Sequence, residues 1–229
     1  MSKPVMKAII VPVKEPSNAK TRLDTLLSPA ERGSLAWAMF LDVTRALKEI
    51  KGCCTVFVVT SYERAASHAQ ANGFGVLPED RQLSESASVD WASETLAGRG
   101  FDSVLRLPAD LPLIQGSDVA ELVSVEVAPP ASVLVPSRDG TGTNAIMRCP
   151  PGLFPSHFGP NSLALHIEES NRAGAAPLII SNDRIGLDID EPADIQAFLE
   201  RGSGTETFRI VSEIDVTRRM KELSRKMTL

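Results

Sequence analysis

The sequence predicts an α/β fold of one domain, with a mostly parallel sheet held between two layers of helices. Three observations lead there. Short runs rich in β-branched residues alternate with longer stretches that repeat apolar residues at helical spacing, from residue 8 to about residue 200. Several of these runs end in polar loops, as strands do at the ligand-binding edge of such a sheet. And 229 residues, 43% hydrophobic and 23% charged, describe a chain able to bury a substantial core.

Residues 8–13 (AIIVPV) form a first buried strand that runs into a Lys-rich loop. Ser28, Pro29 and Glu31 spell a helix start: the serine caps, the proline suits the first turn, and the glutamate completes a capping box. Leu35, Met39 and Val43, with Ala36, Phe40 and Leu47, give that helix an inward face. Residues 54–60 (CTVFVVT) predict a second strand, followed by a helix through Ala65 and Ala69 that stops near Asn72-Gly73. A short strand at 75–78 and a helix at 86–96 come next. The fourth strand, 103–107 (SVLRL), runs straight into Pro108-Ala109-Asp110-Leu111-Pro112. Beyond it the pattern predicts a helix at 119–125, strands at 132–136 and 144–148, a helix at 162–173 and a strand at 177–180. The run 185–189 then leads to Asp190-Glu191-Pro192, where a last core helix begins. The core domain therefore covers residues 1–201. Arg201-Gly202-Ser203-Gly204-Thr205 reads as a linker, and 202–229 as an appendage on the core or on a partner. It carries a short strand-like run from Phe208 and a basic amphipathic end, and its apolar residues make a homodimer an expectation to test.

Composition excludes several function classes. A net charge of -5 and a pI near 5.3 speak against nucleic-acid binding, which rests on a Lys/Arg excess. No apolar run reaches the roughly 18 to 20 residues that span a bilayer, and the start has no signal-peptide anatomy, so a cytoplasmic protein is expected. Cys53, Cys54 and Cys149 have neither zinc-ligand nor disulfide spacing and read as buried thiols. His68, His157 and His166 are scattered and support no triad. There is no Walker loop, and no GxGxxG comes after the first strand.

The first strand leads instead into a loop with three cations, Lys14, Lys20 and Arg22. They suit a triphosphate and the charge that grows on a pyrophosphate leaving group, although a solvated basic loop has the same composition. Asp110, between two prolines at the end of an apolar strand, suits Mg²⁺, which takes one or two protein carboxylates with water and phosphate oxygens; a turn aspartate is the plain alternative. Asp188 and Asp190 share one face if their run is extended, which makes a second metal anchor; capping of the helix at Pro192 competes for Asp190. The loop 139–144 (DGTGTN) offers N–H groups and hydroxyls to an anion or forms a hairpin turn. Gly159-Pro160-Asn161-Ser162 offers a helix N-terminus to an anion or is an ordinary cap.

Taken in order, these stretches resemble the CofC/FbiD family, guanylyltransferases of coenzyme F-420 biosynthesis. The resemblance is carried by Val11-Pro12-Val13-Lys14 with Ala19-Lys20-Thr21-Arg22-Leu23, Leu107 to Pro112, Asp139 to Asn144, Phe158 to Ser162 with His166, and Asp188 to Asp194, spanning residues 7 to about 200. It implies a Rossmann-like three-layer sandwich of the nucleotide-diphospho-sugar transferase kind. It also implies a reaction in which GTP and a phosphorylated three-carbon acid (phosphoenolpyruvate, 3-phospho-D-glycerate or 2-phospho-L-lactate) give a guanosine diphosphate ester and pyrophosphate. By motif position the resemblance assigns Mg²⁺ to Asp110, Asp188 and Asp190, the acid to Thr143, Gly159 and Ser162, and the triphosphate to Lys14, Lys20 and Arg22. One departure stands out: where the family carries a Leu-Asn pair before a helix, this chain has Leu83 followed by Ser84-Glu85-Ser86.

Overall fold

Alternation within the first strand sets the architecture. In β1 (Lys7–Pro12) Ile9 and Val11 enter one apolar cluster while Ala8 and Ile10 enter another on the opposite side, and all four are almost wholly buried. A strand covered on both faces needs apolar residues at every position, which is what this run supplies. The computed structural model describes residues 5–16, 19–50, 52, 54–80 and 84–227.

The sheet has seven strands in the order β3-β2-β1-β4-β6-β5-β7. The others are β2 (Thr55–Thr60), β3 (Gly75–Pro78), β4 (Ser103–Arg106), β5 (Ala131–Pro136), β6 (Thr143–Cys149) and β7 (Leu178–Ile179). Pairing is parallel from β3 through β2 and β1 to β4, and again between β5 and β7. β6 alone is antiparallel to both its neighbours. On one face lie α1 (Pro29–Lys48), α2 (Glu63–Ala71) and α4 (Gly116–Ser124), whose Phe40, Val43, Ala65, Ala69, Val119 and Leu122 pack on Ile9, Val58 and Leu105. On the other lie α3 (Glu85–Gly98), through Val89, Ala92 and Leu96, and α5 (Ser162–Arg172), through Leu163 and Ile167. The capping box expected at Ser28 and Glu31 is present.

The run 185–189 lies outside the sheet. Ile185, Leu187 and Ile189 are buried, but the segment bonds through Ile189 N–H to the Asp110 carbonyl and through the Gly186 carbonyl to Arg138 N–H. One sequence expectation is corrected. The strand-like run from Phe208 is helical: α6 (Pro192–Leu199) is followed by α7 (Glu206–Glu213) and α8 (Val216–Met227). β-Branched residues there pack on α1 and α6, alongside Leu35, Met39 and Phe198, and packing outweighs strand propensity. Asp42 of α1, 1% exposed, accepts from Glu206 N–H, Thr207 N–H and the Thr207 hydroxyl, and so ties the start of α7 to the core. Val211 and Val216, among the apolar residues behind the expected homodimer, are buried within the chain itself.

Cys54 is half-buried, Cys149 is buried, and burial pushes the Cys149 thiol pKa up. Cys53 and Leu83 lie outside the described residues, as do Ser17 and Asn18 of the first loop. Among the described residues no helix is long and apolar enough to cross a membrane.

Candidate active site

The loops that follow β1 and β4 leave the same edge of the sheet, since these strands are parallel neighbours. Because β6 runs the other way beside β4, its first residues, Thr143 and Asn144, start at that edge instead of ending far from it. A single reversed strand therefore brings the hydroxyl-and-glycine loop to the aspartate loop.

Asp110, Asp188 and Asp190 converge there, and one carboxylate oxygen from each lies within 4.8 Å of the others. Lys20 Nζ stands among them, 2.5 Å from Asp110 Oδ2 and 2.5 Å from Asp190 Oδ1, on a side chain only 9% exposed. Burial opposes the charge on Lys20, but the two carboxylates outweigh it and hold the ammonium pKa above its ordinary value. Burial likewise opposes ionisation of Asp110, and Lys20 and then Arg106 hold that carboxyl below the usual range. Asp188 goes the other way. Burial, then the neighbouring Asp110, push it up to about 6, even though Asn144 Nδ2 donates to its Oδ1 at 3.0 Å. The same Asn144 amide donates to the carbonyls of Ile185 and Gly186, which sets the position of the Asp188 segment.

Three carboxylates with one ammonium among them leave negative charge uncompensated. Asp110 Oδ1 is buried without a hydrogen-bond partner. An all-oxygen donor set with an orphaned carboxylate oxygen fits a hard divalent cation.

Beside the cluster opens a cavity of about 550 Å³. Arg22, Asp110, Thr143, Gly159, Ser162, Asp188 and Asp190 all line it, so the structure brings these sequence candidates together. Arg22 is largely exposed and faces Glu191 at 3.3 Å. Gly159 has a φ of 131°, a region that L side chains rarely adopt, so the bend before α5 requires glycine. Ser162 does not cap α5; its hydroxyl accepts from Thr143 N–H at 2.9 Å. The loop 139–142 proves to be a closed turn and not an anion cradle. Asp139 accepts from Thr141 N–H, the Thr141 hydroxyl and the Ser137 hydroxyl, while Gly142 N–H donates to Ser137. Those donors hold the Asp139 carboxyl down to about 2.

A second cavity, about 200 Å³, meets the first at Glu85, Arg106, Pro108 and Asp110. Lys14 and Lys20 line it with Trp37, Phe40 and Tyr62. Arg106 and Glu85, which form an ion pair, are site residues that sequence reasoning missed. Arg106 is 5% exposed, lies 4.1 Å over the Phe158 ring and donates to the Asn144 carbonyl. An arginine in the otherwise apolar run SVLRL was the available signal, since a charge on a buried strand needs a reason. Asn144, as the partner of Asp188, was also missed; its only sign was a polar residue opening a strand.

A sheet whose C-terminal edge gathers carboxylates, cations and hydroxyl donors around adjoining cavities is built to handle phosphate-bearing ligands, and the class it defines is the α/β nucleotidyltransferases. Comparison with known proteins gives the particular family. The family described as guanylyl transferase CofC like matches residues 6–228. A phosphoenolpyruvate guanylyltransferase of Rubrobacter xylanophilus is 34% identical over 197 residues, 86% of this chain and 95% of the relative. A 2-phospho-L-lactate guanylyltransferase of Methanothermobacter thermautotrophicus is 31% identical over 196 residues, 86% of this chain and 85% of the relative. Among solved structures, a protein of Desulfovibrio desulfuricans assigned to the nucleotide-diphospho-sugar transferases superposes with a TM-score of 0.74 over 94% of this chain and 99% of its own, at 16% identity, a likeness of fold. This chain belongs to the CofC guanylyltransferase family.

Proposed function

We propose that this chain is a cytoplasmic enzyme of coenzyme F-420 biosynthesis that joins GMP from GTP to a phosphorylated three-carbon acid and releases pyrophosphate. The acceptor is phosphoenolpyruvate, 3-phospho-D-glycerate or 2-phospho-L-lactate, and the relatives of Rubrobacter xylanophilus and Conexibacter woesei that bear the name phosphoenolpyruvate guanylyltransferase favour the first. The observation that carries the reading is the convergence of Asp110, Asp188 and Asp190 on Lys20 at the junction of two cavities. In this reading the aromatic wall of the smaller cavity takes the nucleoside, the larger takes the acceptor, and the α-phosphate lies where they meet.

Asp110, Asp188 and Asp190 would hold Mg²⁺, which supplies charge neutralisation to the phosphates that gather there. Lys20, held among the carboxylates, Lys14 on the wall of the smaller cavity and Arg22 on that of the larger are the cations assigned to the triphosphate and the departing pyrophosphate. Thr143, Ser162 and the Gly159 bend are assigned to the acceptor's anionic groups. An acceptor phosphate oxygen attacks the α-phosphorus in line with departing pyrophosphate. A phosphate monoester has its second pKa near ~6 and is already dianionic at neutral pH, so no general base is required. Positioning and charge neutralisation carry the chemistry.

The test is pyrophosphate release from GTP with Mg²⁺ and each of the three acids in turn, with CTP, ATP and UTP as controls. Release with GTP and one acid supports the reading and names the acceptor. Release with another nucleotide only, or none with any acid, overturns it.

A further inference from the structure

Hydrogen bonds on the wall of the larger cavity leave the hydroxyl protons of Thr143 and Ser162 available to a ligand. His157 N–H donates to Nε2 of His166 at 2.9 Å. A ring nitrogen that accepts this bond carries no proton, so the proton of the neutral imidazole is on Nδ1. Nδ1 lies 2.9 Å from Thr143 Oγ1, and the ring therefore donates while the threonine oxygen accepts. The ring stays neutral, because burial and then the charge of Arg148 push its pKa down to about 3. Ser162 Oγ, in the same way, accepts from Thr143 N–H. Among the described residues neither hydroxyl proton meets a protein acceptor, and both side chains line the cavity.

We propose that His166 is a positioning residue for the acceptor, holding the Thr143 hydroxyl as a proton donor aimed at an anionic group of the acid beside the Ser162 hydroxyl. This rests on the assignment of the acceptor to Thr143 and Ser162 given above. A hydroxyl carries one proton and two lone pairs; the fixed N–H takes one lone pair and, with no protein acceptor engaging the proton, leaves that proton for donation to an anionic group. Anion recognition by two oriented hydroxyls also adds no cation next to Lys20 and Arg106, which already crowd this edge. His166, 0% exposed and packed edge-on against Phe158, has no access to the reacting atoms and acts only through Thr143 and the loop before α5.

The experiment is a double-mutant cycle read by pyrophosphate release, with His166→Phe, Thr143→Val and the double variant, and with His166→Asn as the conservative control. An asparagine amide nitrogen reaches the place of Nδ1 and restores donation to Thr143. Each single variant is expected to raise the acceptor KM about tenfold, the loss of one hydrogen bond to a charged group. The double variant is expected to raise it about tenfold as well, because both changes end donation to the acid by the same Thr143 hydroxyl. The KM for GTP stays unchanged, His166→Asn recovers most of the loss, and thermal unfolding shows which variants are folded. Ring nitrogen NMR of the unmodified protein should show the Nδ1-protonated neutral ring between about pH 5 and 8. A ring protonated at Nε2, effects that multiply to about a hundredfold, or an equal rise in the KM for GTP overturns the assignment. A wild-type protein that turns over none of the acids takes the acceptor reading down with it, whereas normal turnover with multiplicative variants removes the role of His166 alone.

Discussion

Replacing Asp188 by asparagine should stabilise the metal-free protein while destroying its activity. Burial and Asp110 raise this carboxyl from its ordinary 3.8 to about 6. A carboxyl held above its unfolded value keeps its proton in the folded state to higher pH than in the unfolded state. Stability from this group is therefore fully present below about pH 4 and is lost as the pH rises through about 6. At 1.36 kcal/mol per pKa unit the penalty at neutral pH is on the order of 3 kcal/mol. Asparagine has the same shape, its amide oxygen still accepts from Asn144 Nδ2, and it carries no charge, so it should recover most of that energy. For a chain of this length the gain corresponds to about 5–10 °C in Tm. The assay is urea unfolding of both proteins in EDTA at several pH values between about 4 and 8. The difference should be largest at the alkaline end and vanish towards the acid end. An equal or lower stability of Asp188→Asn at the alkaline end, or a difference independent of pH, would refute the reasoning that Asp188 is forced to ionise beside Asp110.

Mg²⁺ should raise the Tm of the wild-type protein and raise that of Asp188→Asn much less, since the cation relieves the same repulsion; equal shifts in calorimetry would remove Asp188 from the metal site. Asp110→Asn should lower pyrophosphate release by about a thousandfold with the circular dichroism spectrum unchanged, because it removes one of the three converging carboxylates. Asp42→Ala leaves two N–H groups and a hydroxyl at the start of α7 unpaired and should cost about 2–4 kcal/mol in urea unfolding. Limited proteolysis of that variant should cut first within residues 201–215; a pattern identical to wild type would show that the apolar contacts alone hold the tail.

Much of this protein was legible because local signals agreed with the global fold. Strand runs such as AIIVPV and CTVFVVT are apolar at successive positions and have few other solutions, and the Ser28/Glu31 box and Pro192 mark helix starts by chemistry that needs no partner. Asp110 was legible for the same reason, a carboxylate stiffened between prolines at a strand's end. Local pattern failed where distant partners decided the outcome. The run from Phe208 has strand-like composition, yet its apolar residues meet α1 and α6, and that contact makes it a helix. For the loop 139–144 the sequence left an anion cradle and a hairpin turn open, and the nearby Ser137 and Asp139 side chains close residues 139–142 into a turn.

The amino-acid sequence by itself determined the α/β class, the order of elements from residue 7 to residue 199, and the residue types that could do chemistry, because these derive from periodicity and from side-chain functional groups. Tertiary structure alone decided that β6 runs backwards between β4 and β5, since pairing direction depends on which strand lies alongside and not on the strand's own residues. That reversal delivers Thr143 to His166 and Asn144 to Asp188. It also decided that Lys20, one cation among three in a loop, is the one buried among the carboxylates, and that Arg106 and Glu85 meet where the cavities join. Such pairings join residues up to 170 positions apart, and only packing can choose them, because no local preference acts over that distance.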